Sequence, residues 1–129
     1  MKKKSISQKK TKTGRNSKKE IKLSPVRHAR TFSHRFKGLM GVEKKELNYA
    51  LVFHLAESGT MNASIHMLFM KTPIDVMWLD ENQKVVDRVV HLQPWTLNYT
   101  PKRPAKYIVE MPVGWIRSFS IRKGVHIEW

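Results

Sequence analysis

From residue 47 onward, apolar residues come in short runs of strand length, broken by turn-forming residues. LNYALVFHL (47–55) and NASIHMLF (62–69) predict strands on either side of an ESGT turn at 57–60. IDVMWLD (74–80) and KVVDRVVHL (84–92) predict a hairpin closed by Glu81, Asn82 and Gln83. The segment QPWTLNYTPKRP (93–104) is punctuated by prolines and predicts a loop. AKYIVEMP (105–112) then predicts a fifth strand, GWIRSFSIRKG (114–124) one helical turn, and VHIEW (125–129) a closing strand. Ahead of these, Phe32, Phe36, Leu39 and Met40 recur at helical spacing. Thr31 is placed to cap that helix, and Gly38 and Gly41 to end it. The pattern implies an α+β, mainly β class: a compact antiparallel barrel-like domain of about six short strands with one N-terminal helix.

Within 74–80 the period of two puts Ile74, Val76 and Trp78 on one face and Asp75, Met77 and Leu79 on the other. Both faces are apolar apart from Asp75, so the strand is expected to be covered on both sides. A buried carboxylate must be hydrogen-bonded or paired, or it takes up a proton. Asp75 is therefore expected to accept backbone N–H groups and fix a turn. The competing reading makes it a pocket residue together with His66 and Trp95.

Charge changes the picture at the N-terminus. Residues 1–24 hold nine Lys and one Arg (Lys2, Lys3, Lys4, Lys9, Lys10, Lys12, Arg15, Lys18, Lys19 and Lys22) against Glu20 alone, which is +9 of the whole chain's +15. A segment so rich in charged and small polar residues offers little to bury, so 1–24 is expected to be a basic disordered arm on a single β-rich domain over 25–129. Arg27, Arg30 and Arg35 extend the basic surface, and Lys102, Arg103 and Lys106 add a second patch. Such charge suits phosphate contacts, which carry no base information.

The stretches KGLMG (37–41), ALVFHL (50–55), TPIDVMWLDENQKVVD (72–87), LQPWTL (92–97), AKYIVEMPVGW (105–115) and IRKGVHIE (121–128) occur in the order found in the domain of unknown function 192 family. The chain resembles its archaeal branch over roughly residues 29–129, with the basic arm outside the match. The resemblance implies a compact β-rich domain and no established activity.

Motifs of catalysis are missing from the sequence. There are no cysteines, and the six His residues show no metal-binding spacing. Neither a G-x-S-x-G elbow nor a glycine-rich phosphate loop occurs. The absence of cysteine fits a reducing cytoplasm, which is the expected setting, and no apolar run reaches the roughly 18 residues of a membrane span. The sequence therefore points to a non-catalytic protein without cofactor or small-molecule ligand, associated with nucleic acid, RNA before DNA, in a ribosomal or ribonucleoprotein setting. The alternative is a small-ligand-binding or enzymatic domain in which the arm is incidental.

Overall fold

The computed structural model describes residues 5–10, 19–31 and 37–129. Among the described residues eight strands follow one another: β1 (Ser5–Lys10), β2 (Lys19–Ser24), β3 (Val26–Ala29), β4 (Ala50–Gly59), β5 (Ile74–Leu79), β6 (Val85–Leu92), β7 (Ala105–Pro112) and β8 (His126–Glu128). One short helix, α1 (Trp115–Ser118), lies between β7 and β8. The strands form a five-stranded sheet in the order β3-β4-β7-β5-β6 and a three-stranded sheet in the order β1-β2-β8. The class is α+β and mainly β, as the pattern predicts, but the sheets do not close into a barrel. Pairing is also mixed, because β3 runs parallel to β4 and β2 parallel to β8.

The five-stranded sheet carries a core on each face. Leu51, Phe53, Ile74, Val76, Trp78 and Ile108 point to one side. Val52, Met77, Leu79, Val109 and Met111 point to the other, where Ile21, Leu23, Trp115, Phe119 and Ile127 cover them. Strand β5 is buried at every position, consistent with an apolar run covered on both faces. Its Trp78 donates the indole N–H to the Ala63 carbonyl at 2.8 Å and stacks on Tyr99. The β5–β6 hairpin closes as its sequence predicts. Asp80 Oδ1 accepts the N–H groups of Asn82 and Lys84, and Gln83 takes a left-handed φ of 61°.

Several sequence expectations require correction. Strand β2 lies inside the stretch expected to be a disordered arm, and β1 pairs with it in antiparallel register. Ile21 and Leu23 are fully buried while Lys22 between them is exposed. A segment dominated by lysine on average thus contains a period-two strand with two anchors, and Ile21 pairs opposite Ile127 of β8. The folded body therefore begins before residue 25. Strand β4 runs through Glu57–Gly59, where a turn was expected, with a register irregularity between His54 and Gly59. Residues 62–69 do not form a strand. Ala63, Ile65 and Met67 alternate inward, but the facing segment is the proline-broken loop. Only isolated pairing results: Ile65 with Tyr99, and Met67 with Trp95 and Thr96. Most of the helix expected from Phe32 to Met40 falls on residues 32–36, outside the described residues. Beyond them the chain turns through Gly38 and Gly41, both at positive φ.

Candidate functional site

Asp75 holds a corner of the fold together. In β6, Val90 and His91 bulge between the pairs Val76–Val89 and Ile74–Leu92, and His91 takes a φ of 55°. The His91 N–H freed by the bulge donates to Asp75 Oδ1 at 2.9 Å. Gly114 and Ile116, at the start of α1, donate their N–H groups to Oδ2 at 3.0 Å each. One carboxylate therefore satisfies three main-chain donors that neither the sheet nor the short helix pairs. Asp87 serves a similar purpose further along β6, accepting the N–H groups of Arg88 and Lys102.

The principal cleft lies elsewhere, on the first core face. Its volume is about 530 Å³, and Leu39, Phe53, Leu55, Ile65, Met70 and Ile108 give it apolar walls. The polar residues lining it are Lys37, Asn62, Ser64, His66 and Glu110. Several of these are already engaged: Asn62 donates to the Glu57 carbonyl, Ser64 bonds Thr100, and the His66 ring accepts the Leu68 N–H.

Glu110 differs from all of them. It sits in the middle of β7, opposite Leu51 of β4 and Val76 of β5, on the same face as Ile108. Its side chain is only 7% exposed, and among the described residues no side chain forms a hydrogen bond or ion pair with it. Burial without compensation pushes its carboxyl up from 4.5 to about 8, so it is mostly protonated at neutral pH. Gly38 closes over it. A Cβ at Gly38 would lie 3.2 Å from the Phe53 ring and 3.6 Å from Glu110 Oε1. Sequence reasoning passed over Glu110, although a signal was present: in AKYIVEMP the alternation puts it on the face of Ile108, in the middle of the strand, whereas Lys106 on the same face lies near the strand's start.

Of the three pocket residues expected from the sequence, the structure brings only His66 to this cleft. Asp75 serves the β6–α1 corner. Trp95 is exposed beside Phe69, with ring centroids 5.1 Å apart and both residues at positive φ. A separate ring cluster joins the sheet edge, where His28 Nδ1 and His54 Nε2 are 2.8 Å apart near Tyr107 and Trp129. Burial, helped by the charges of Arg30, His28 and Lys106, lowers His54 to about 4.

The basic residues are dispersed. Lys22, Arg27, Arg30, Lys102 and Arg103 are exposed, with the Arg27 guanidinium over the Tyr49 ring at 3.9 Å. Lys106 is half-buried and donates to the Ala56 carbonyl. Lys9 and Lys10 lie on β1 and Lys19 on β2. Lys2, Lys3, Lys4, Lys12, Arg15, Lys18 and Arg35 fall outside the described residues. Among the described residues no group of three or more His, Cys, Asp or Glu side chains could hold a metal ion, and no helix is long and apolar enough to cross a membrane.

Comparison with known proteins places this fold. A UPF0127 protein of Thermococcus kodakarensis is 50% identical over 104 residues, covering 81% of this chain and 64% of its own length. The chain thus spans less than two thirds of that relative. A UPF0127 protein of Pyrococcus furiosus is 48% identical, covering 86% of this chain and 90% of its own. Among solved structures, a protein of unknown function from Novosphingobium aromaticivorans superposes with a TM-score of 0.74 at 16% identity, over 95% of this chain and 93% of its own, which shows a shared fold. The DUF192 model, described as uncharacterized ACR, matches residues 12–129 and so includes β2 as well as the Glu110 cleft. On that match and on its UPF0127 relatives, the chain belongs to the DUF192 family.

Proposed function

We propose that this domain is a small-molecule-binding module whose site is the cleft between β4, β7 and the 61–70 segment. One observation carries the reading: Glu110 is buried at the wall of an apolar cleft of about 530 Å³ without a partner among the described residues. Ligand sites are concave and mostly apolar, with few polar groups that orient the occupant, and volumes of roughly 300–1,000 Å³ are usual. An unpaired buried acid is costly to keep, and a role in recognition accounts for it. Backbone amide NMR with a panel of small apolar fragments tests the reading. Shifts gathered at Phe53, Leu55, Ile65 and Ile108 support it; shifts scattered over the surface, or none, overturn it.

A second reading rests on the +15 charge and on the exposure of Lys22, Arg27, Arg30, Lys102 and Arg103. In it the protein associates with nucleic acid, RNA before DNA, through phosphate contacts. Sedimentation with ribosomes at low salt and release at high salt supports it. Failure to co-sediment at low salt refutes it. The two readings concern different surfaces and are tested independently.

A further inference from the structure

We propose that the occupant of the Glu110 cleft is an apolar molecule carrying a protonated amine, which pairs with the Glu110 carboxylate at the cleft wall. This inference rests on the small-molecule reading above and adds the chemical class of the ligand.

The argument begins with what surrounds the carboxyl. The strands flanking β7 present Leu51 and Val76 opposite Glu110, neither of which can donate or accept through its side chain. The other titratable groups lining the cleft are Lys37 and His66. Lys37 is exposed and makes no ion pair with Glu110 within 4.0 Å. Burial alone accounts for the perturbation of the carboxyl, with no contribution from a nearby cation. Among the described residues, the site therefore has an acid and an apolar wall but no positive charge paired with the acid to let it ionise.

A ligand ammonium supplies that charge. Opposite charges attract far more strongly away from bulk water, and a charge-assisted hydrogen bond is roughly twice as strong as a neutral one. A neutral alcohol or amide gains only an ordinary hydrogen bond. The apolar remainder of the ligand is matched by Leu39, Phe53, Leu55, Ile65, Met70 and Ile108. The overall +15 does not forbid a cationic ligand, since exposed charges beyond about 8 Å are largely screened at physiological ionic strength.

The pairing has a proton balance. Below the carboxyl's pKa of about 8, an ammonium ion binds to a protonated Glu110 and one proton leaves to solvent. Amine affinity should therefore rise about tenfold per pH unit from pH 5 to about 7.5 and level off above 8. An alcohol of the same shape should show no such rise.

The test uses the full chain with n-hexylamine and phenethylamine as probes, and with n-hexanol and phenethyl alcohol as their uncharged counterparts. Binding is followed by NMR from pH 5 to 9 for the wild type and Glu110→Gln. The proposal expects amines to bind at least tenfold more tightly than the alcohols at pH 8. It also expects the amine advantage to disappear in Glu110→Gln and the pH dependence to flatten. Amines and alcohols binding the cleft equally well would overturn the amine assignment and leave the small-molecule reading standing. An amine advantage that persists in Glu110→Gln would do the same. No shift from any probe would overturn both. If Glu110→Gln folds poorly, the slope of amine affinity against pH in the wild type still decides the matter.

Discussion

Replacing Glu110 with Gln removes an ionisable group whose proton affinity differs sharply between the folded and unfolded chains. In the folded protein the carboxyl holds its proton up to about pH 8, whereas in the unfolded chain it releases it near 4.5. Between those values the unfolded state binds fewer protons than the folded one, so stability falls as pH rises. At about 1.36 kcal/mol per pH unit, the whole window amounts to about 5 kcal/mol, with about 3 kcal/mol already lost at pH 7. Those figures are upper bounds, because water entering the cleft would lower the cost. Below pH 4.5 both states are protonated and the effect vanishes. Glu110→Gln keeps the shape but cannot ionise, so it should match the wild type near pH 4.5 and become increasingly more stable as pH climbs to 8. Urea unfolding of both proteins at pH 4.5, 6, 7 and 8.5 measures this, and taking the difference between them cancels the titration of all other groups. A stability difference that does not change with pH would refute the claim that Glu110 is an unpaired buried acid.

Asp75→Ala should cost on the order of 3 kcal/mol or more, because the N–H groups of His91, Gly114 and Ile116 lose their acceptor at about 1–3 kcal/mol each; denaturant unfolding at pH 7 reads it, and a loss below about 1 kcal/mol would refute the structural role. Gly38→Ala should destabilise by about 1–2 kcal/mol, since its φ of 49° is unfavourable for a Cβ that also crowds the Phe53 ring. Thermal unfolding checks the loss, and NMR should show weaker fragment binding in the narrowed cleft. Deleting residues 1–24 should cost about 3–6 kcal/mol, from the lost burial of Ile21 and Leu23 at roughly 1.5–3 kcal/mol each; an unchanged melting temperature would mean that β2 contributes nothing to the body.

Local pattern is enough to specify those elements whose tertiary surroundings agree with it. The β5–β6 hairpin is written in two apolar runs around Glu81-Asn82-Gln83, and both its strands and its turn follow from that stretch. The burial of β5 on both faces follows from the apolar residues on both sides of its alternation. Partnership is different, because alternation says which side a residue faces and never which backbone will meet it. The extended segment at 62–69 therefore lacks a ladder, and β2 finds one beside β8, about a hundred residues away in sequence. Lysine density hid Ile21 and Leu23 because average composition weighs every residue equally, whereas folding energy weighs the two that are buried. The same reasoning separates the two acids. Asp75 and Glu110 both interrupt apolar strands, and nothing local tells them apart. Tertiary contacts alone bring three backbone donors to one and an apolar cleft to the other, and that difference in hydrogen bonding makes one a structural corner and the other the candidate site.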